Sequence, residues 1–142
     1  MPNPQRPSAL LFDFDGLIAD TESSVYRSWV ELYRGFGQEL ELSDWVGCVG
    51  SDWGGFDPMG QLDALVGRRL PWHELEPRRV EEEERQLADL APLPGVMDLL
   101  NEAGREGIPC AVASSSPRSW IDRWLGEFGI SERFRALVTK ND

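Results

Sequence analysis

The pattern of hydrophobic and polar positions begins with a short apolar run that stops at two aspartates. Residues 8–14 carry large apolar side chains without helical spacing, and Asp13, Asp15 and Gly16 stand at the end of this run. We therefore predict a buried strand over residues 8–14. From Thr21 the apolar positions recur at helical spacing, which predicts a helix. Its apolar stripe consists of Val25, Trp29, Leu32, Tyr33 and Phe36.

The middle of the chain combines glycine-rich and helical segments. Residues 38–60 contain five glycines and predict irregular, turn-rich structure. A short helix is predicted over residues 58–66. Residues 71–90 predict a helix in two pieces, the second of which starts at Pro77. The charged run within this segment is typical of a solvated helix face, and His73 is predicted to lie on the surface.

A proline-rich linker at residues 91–95 is followed by an alternation of helices and strands. Residues 96–107 predict an amphipathic helix and residues 108–113 a fully apolar strand. A second helix and a strand over residues 134–139 follow. The apolar face of that second helix is formed by Trp120, Ile121, Trp124, Leu125 and Phe128.

Two strand-and-helix segments therefore bracket a helical insert. Parallel strands joined by right-handed crossovers place helices on both faces of a sheet. We expect an α/β fold with a parallel sheet of about three strands.

Composition and charge narrow the function classes. The 142 residues include 14 basic and 25 acidic side chains and give a net charge of −11. This balance argues against general affinity for nucleic acids and for anionic membrane surfaces. The sequence shows no signal peptide and no apolar run of transmembrane length. Cys48 and Cys110 have no metal-binding spacing and are expected to be reduced thiols, as in a cytoplasmic protein.

The two aspartates at the end of the first strand are candidate catalytic and metal-binding residues. Side chains two apart in a strand point to the same side, so Asp13 and Asp15 can reach one site. The carboxyl ends of parallel strands are where open α/β sheets bind ligands. Two adjacent carboxylates repel each other, and a hard divalent cation such as Mg²⁺ offsets that repulsion.

The end of the second strand offers groups for an anion. Ser114 and Ser115 follow this strand, with Ser116 predicted as the helix N-cap and Pro117 as the first helical residue. Hydroxyl groups at a helix N-terminus suit a phosphate group. We therefore predict Ser114 and Ser115 as phosphate-binding residues.

Carboxylates, a divalent cation and a phosphate site together indicate phosphoryl transfer. Asp13 directly continues the apolar strand and is the better candidate for the nucleophile, which would form an aspartyl-phosphate. Asp15 would protonate the leaving oxygen and later activate water.

These motifs resemble those of the haloacid dehalogenase superfamily. Residues 13–22 (DFDGLIADTE) are similar to the first motif of that family, and residues 111–116 (AVASSS) to the second. The nearest branch has small helical caps and includes phosphoglycolate-phosphatase-like and β-phosphoglucomutase-like enzymes. The resemblance implies a Rossmann-like core at 1–19 and 89–142, interrupted by a helical cap at 20–88.

The resemblance also implies a ligand set and a reaction. Mg²⁺ would be bound by the side chain of Asp13 and the backbone carbonyl of Asp15. Because dehalogenases of this family lack the second aspartate, Asp15 favours phosphotransfer over carbon–halogen cleavage. The phosphate-binding hydroxyl of the second motif would belong to Ser114.

Three departures from the family pattern affect the expected activity. The third-motif lysine would fall just past Asp142, and Lys140 stands too early to replace it. The acidic pair of the fourth motif would lie on a later strand, so we expect a C-terminally truncated chain with impaired activity. Mutase-like members carry a histidine where this chain has Val25.

The leading prediction is a Mg²⁺-dependent phosphatase of small phosphorylated metabolites. A sugar-phosphate mutase and a catalytically inert chain are the alternatives, and a phospho-acceptor receiver domain is disfavoured because the insert directly follows the first strand. Self-association through an exposed sheet edge is a further expectation. Candidate substrate-pocket residues in the insert are Glu22, Arg27, Trp45, Trp53 and Arg68.

Overall fold

The computed structural model describes residues 6–47 and 55–140. Within these ranges the chain forms three strands and six α-helices. The strands are β1 (Leu10–Phe12), β2 (Cys110–Ala113) and β3 (Phe134–Val138). The helices are α1 (Thr21–Gly35), α2 (Leu42–Val46), α3 (Pro58–Val66), α4 (Trp72–Leu87), α5 (Val96–Glu106) and α6 (Arg118–Glu127).

The described strands form one parallel sheet in the order β1-β2-β3. Phe12 pairs with Val112, so the carboxyl ends of β1 and β2 lie side by side. Phe12 and Val112 are both buried, and the ring of Phe12 contacts Phe134 edge-on at 5.7 Å. The predicted α/β fold with a parallel, Rossmann-like sheet is confirmed.

The chain divides into two compact units. One consists of Met1–Asp20 and Leu90–Asp142 and contains the sheet, and the other is the helical segment Thr21–Asp89. Each observed boundary lies one residue beyond the predicted boundary, at 20 rather than 19 and at 89 rather than 88.

The helical unit has its own hydrophobic core. Trp29 and Tyr33 of α1 are almost completely buried, together with Trp45 of α2 and Leu62 of α3. Because large aromatic side chains contribute most to such a core, the unit is stabilised mainly by the α1 face that the sequence pattern predicted. The short helix α2 lies in the region expected to be irregular, so that part of the prediction was wrong.

Helix α4 differs from its prediction in two respects. It is one continuous helix, with Pro77 in its interior rather than at the start of a second piece. Its charged run is not uniformly solvated, because Arg79 is only 8% exposed. His73 is exposed, as predicted. No helix among the described residues is both long and apolar enough to cross a membrane.

Candidate active site

The two aspartates of the first motif lie just beyond β1. Phe12 and Phe14 are buried while Asp13 is exposed and Asp15 is half-buried, so the alternation of a strand continues past the last paired residue. One carboxylate oxygen of Asp13, Oδ1, accepts a hydrogen bond from the backbone N–H of Phe14 at 2.7 Å. Asp13 therefore presents its carboxylate on the outer side of the strand end.

A tight hydrogen-bonded turn follows Asp15 and holds the backbone on its C-terminal side. The carbonyl of Phe14 accepts hydrogen bonds from the backbone N–H groups of Leu17, Ile18 and Ala19 at 3.2, 2.9 and 3.3 Å. Gly16 adopts φ 77°, a left-handed conformation that side chains disfavour. The glycine of the D-x-D-G motif is thus required by the backbone that follows the second aspartate.

Both carboxylate oxygens of Asp15 accept hydrogen bonds from the β2–α6 region. Ser116 Oγ donates to Oδ2 at 2.5 Å, and the indole Nε1–H of Trp120 donates to Oδ1 at 3.0 Å. These contacts link residues 101 and 105 positions apart in the sequence. They join the carboxyl end of β1 directly to the loop that follows β2.

Ser116 also links Asp15 to Ser114. The backbone N–H of Ser116 donates to Ser114 Oγ at 3.1 Å, and the backbone N–H of Ser114 donates to the carbonyl of Val138 at 2.9 Å. Because the Ser114 oxygen accepts this hydrogen bond, the proton of the same hydroxyl can be donated to an anion. Ser114 therefore lies directly after β2, where its side chain and backbone are both hydrogen-bonded, and its phosphate-binding role stays a prediction.

The expected helix cap at Ser116 was wrong. Helix α6 starts at Arg118 with Pro117 at the N-cap position, and no side chain caps its first turn. The Ser116 hydroxyl bonds to Asp15 instead, because a charged acceptor gives the stronger hydrogen bond. Ser115, the second predicted phosphate-binding residue, is exposed in the same loop.

One face of α6 carries aromatic rings that pack beside the site. Trp120 contacts Trp124 at 5.7 Å between ring centroids, and Trp124 contacts Phe128 at 5.8 Å. Phe128 in turn stacks on Phe14, the residue between the two aspartates, at 6.5 Å. The backbone around Asp15 and the indole that bonds to it are thus supported by the same helix.

The sequence pattern alone does not predict Trp120 and Ser116 as partners of Asp15. The pattern predicts Trp120 on the apolar face of its helix and Ser116 as a helix cap. One feature of the sequence points to this contact: the indole N–H of a tryptophan in the first turn of a helix needs an acceptor, and Asp13 and Asp15 offer acceptors at the same edge of the sheet.

Lys140 follows β3, and its backbone N–H donates to the Ser116 carbonyl at 3.1 Å.

The candidate substrate-pocket residues of the helical unit have different environments. Trp45 is buried in the hydrophobic core of the unit, and Arg27 is exposed. Glu22 is half-buried, and Trp53 lies outside the described residues. Arg68 lines an open cavity of about 500 Å³ next to α3, together with Arg69 and Trp72.

Comparisons with known proteins identify the family of the chain. Residues 10–142 match the family model of haloacid dehalogenase-like hydrolases. The chain belongs to this family. It is 35% identical over 134 residues to a Bacillus subtilis protein named "Putative phosphatase YhcW", covering 94% of this chain and 60% of that protein. It is 27% identical over 154 residues to Hexitol phosphatase B of Escherichia coli, covering 98% of this chain and 63% of the relative.

The fold is shared with solved structures of this family. A hydrolase of the family from Deinococcus radiodurans, crystallised with phosphate and sodium, aligns with a TM-score of 0.72 at 21% identity. That alignment covers 94% of this chain and 58% of the other. This chain spans about 60% of the length of its Bacillus subtilis relative.

Proposed function

We propose that the protein is a Mg²⁺-dependent phosphatase of small phosphorylated metabolites, acting through an aspartyl-phosphate at Asp13. The observation that carries the proposal is the hydrogen-bonded series from Asp15 through Ser116 to Ser114, which joins the ends of β1 and β2. Membership of the hydrolase family supports it, as do the phosphatase names of the two relatives.

The proposed roles follow from the surroundings of each residue. Asp13 is exposed and would attack the phosphorus atom of the substrate, which transfers the phosphoryl group to its carboxylate. Ser114 would hold a phosphate oxygen through its hydroxyl proton. Asp15 would protonate the leaving oxygen and then take a proton from the water that hydrolyses the aspartyl-phosphate.

The oxygen donors at the end of β1 fit a hard divalent cation. The exposed Asp13 carboxylate is a suitable ligand, whereas the Asp15 carboxylate is directed to Ser116 and Trp120. Asp15 would therefore offer its backbone carbonyl. The described residues contain no group of three or more His, Cys, Asp or Glu that could hold a metal, and Mg²⁺ is usually bound by few protein ligands and several waters. When bound, the cation would offset repulsion between the nucleophile and the phosphate.

The helical unit is proposed to be the cap that selects the substrate. The phosphatase reading is preferred to a mutase because Val25 packs against the hydrophobic core of this unit, where the resemblance places a histidine in mutase-like members. Release of phosphate to water, rather than its transfer to a second sugar hydroxyl, is the expected outcome.

Self-association through the sheet edge is a subordinate proposal. Within the described residues β1 forms one edge of the sheet, and its Leu11 is 70% exposed. An open strand edge with exposed apolar side chains can pair with another chain. Light scattering over a concentration series should show an increase in mass, and a constant monomer mass would contradict the proposal.

The decisive test is phosphate release from p-nitrophenyl phosphate. We expect activity with Mg²⁺ that EDTA removes, and a loss of about 1,000-fold or more in Asp13→Asn. Asp98→Asn is the matched control, because it makes the same change at an exposed position in the first turn of α5. Absence of activity at every Mg²⁺ concentration, or equal rates in the two variants, would contradict the proposal.

A further inference from the structure

The carboxylate of Asp15 is held by two donors of different chemistry. The Ser116 hydroxyl at Oδ2 can both donate and accept a hydrogen bond, whereas the indole N–H of Trp120 at Oδ1 can only donate. The Trp120 contact therefore fixes the direction of Oδ1, and the Ser116 contact fixes that of Oδ2.

We propose that Trp120 and Ser116 are the positioning residues of Asp15, which hold its carboxyl group in one orientation at the end of β1. This inference rests on the proposed function, in which Asp15 is the acid and base. As an acid, Asp15 would give a proton to the leaving oxygen while the P–O bond breaks. As a base, it would take a proton from the water that attacks the aspartyl-phosphate.

The surroundings of Trp120 suit this role. The indole is half-buried, and its ring is held against Trp124, so the direction of its N–H is set by packing. Two other indoles, those of Trp29 and Trp124, have buried N–H groups without a hydrogen-bond partner in the described part of the chain. Trp120 differs from them in having a carboxylate acceptor.

The first experiment tests the hydrogen bond without using activity. The Trp120 indole signal in a ¹H–¹⁵N spectrum is identified by its absence in Trp120→Phe. We expect Asp15→Ala to move this signal upfield and to leave the Trp29 signal in place. An unchanged Trp120 signal would overturn the inference whether or not the protein is a phosphatase.

The second experiment tests positioning through the leaving group. Acid assistance matters for a poor leaving group such as the alkoxide of glycerol 2-phosphate and little for p-nitrophenolate. In Trp120→Phe and Ser116→Ala we expect kcat/KM to fall by about tenfold for glycerol 2-phosphate, with a much smaller change for p-nitrophenyl phosphate. Ser116→Thr keeps the hydroxyl and should restore most of the loss.

The control is Trp29→Phe, which removes an indole N–H that bonds to nothing in the described residues. This substitution should leave kcat/KM unchanged for both glycerol 2-phosphate and p-nitrophenyl phosphate. Equal losses for the two substrates in Trp120→Phe would mean general structural damage and would overturn the inference while leaving the phosphatase proposal in place. No turnover of either substrate by the unaltered chain would overturn both.

Discussion

The guanidinium of Arg79 in α4 lies over the indole ring of Trp29 in α1, 4.9 Å from the ring centroid. Arg79 also donates hydrogen bonds to Glu76, Glu83 and the hydroxyl of Ser28. Burial alone would lower the pKa of Arg79, but its hydrogen bonds to Glu76 and Glu83 outweigh burial and raise this pKa. The buried side chain is therefore a fully bonded cation that ties α4 to α1.

Replacing Arg79 by Met should destabilise the protein. The substitution removes the cation from over Trp29 and leaves Glu76 and Glu83 without their partner. Because these two carboxylates are partly exposed, at 33% and 18%, we expect a cost of about 2 kcal/mol rather than that of a fully buried pair. Urea denaturation measures it.

Arg78→Met is the matched control for this prediction. Arg78 is the exposed neighbour in the same charged run, and its replacement should change the free energy of unfolding by less than about 0.5 kcal/mol. Equal effects of the two substitutions would show that the buried network contributes nothing beyond the charge.

Replacing Pro77 by Ala should stabilise α4. A proline inside a helix lacks the N–H that would bond to the carbonyl four residues earlier, and its ring crowds that carbonyl. The helix is nevertheless continuous, and Arg79 bridges Glu76 and Glu83 on the two sides of Pro77. We expect an increase of about 1 kcal/mol or more in the free energy of unfolding, measured by thermal or urea denaturation.

Pro58→Ala provides the contrast, because Pro58 stands at the first position of α3, where proline is favourable. This second substitution should be neutral or destabilising. Stabilisation by both changes would instead indicate a general effect of removing proline.

The local pattern of the chain predicted the fold more fully than the side-chain network. The strands, the α1 face and the two aspartates follow from periodicity and from the position of polar residues at strand ends. The observed strands are shorter than predicted, since β1 covers Leu10–Phe12 rather than residues 8–14. Pairing with a neighbour defines a strand, and the apolar run alone does not show where that pairing stops.

Long-range contacts account for what the sequence did not show. The charged run predicts that Arg79 is solvated, and only the packing of α4 on α1 buries its side chain. Ser116 was predicted to cap its own helix, yet it bonds to Asp15, 101 positions earlier. Capping and turn rules consider only the acceptors that are near a polar side chain in the sequence. They therefore cannot predict a bond to an acceptor such as Asp15, which becomes a neighbour only when the chain folds.

Tyr33 should make the stability of the protein sensitive to alkaline pH. Its hydroxyl is 2.7 Å from the carbonyl of Pro58 and 3.0 Å from Gln61 Oε1, and burial, followed by the charges of Asp57 and Asp44, raises its pKa. The folded protein therefore favours the neutral phenol. This contribution is fully present below the unfolded value of about 10 and is lost as pH rises above it, because only the unfolded chain ionises readily.

Thermal melts between neutral pH and pH 11 test this prediction. Tyr33→Phe should cost about 1 kcal/mol at neutral pH and should reduce the loss of stability above pH 10. Tyr26→Phe also removes a phenol that donates to a carbonyl, that of Leu40, and controls for the lost hydrogen bond at neutral pH. An unchanged alkaline slope in Tyr33→Phe would contradict the assignment.

Asp63 should be the residue that holds the loop between α3 and α4. Its Oδ1 accepts hydrogen bonds from the backbone N–H of Leu70 at 2.8 Å and from the indole N–H of Trp72 at 3.0 Å. Asp63→Ala leaves both donors without this acceptor and should cost about 2 kcal/mol, whereas Asp63→Asn keeps an oxygen and should cost less than half of that. Urea denaturation of the two variants, with the Trp72 indole signal as a local probe, measures the difference. Equal costs would show that the negative charge, rather than the acceptor geometry, stabilises the loop.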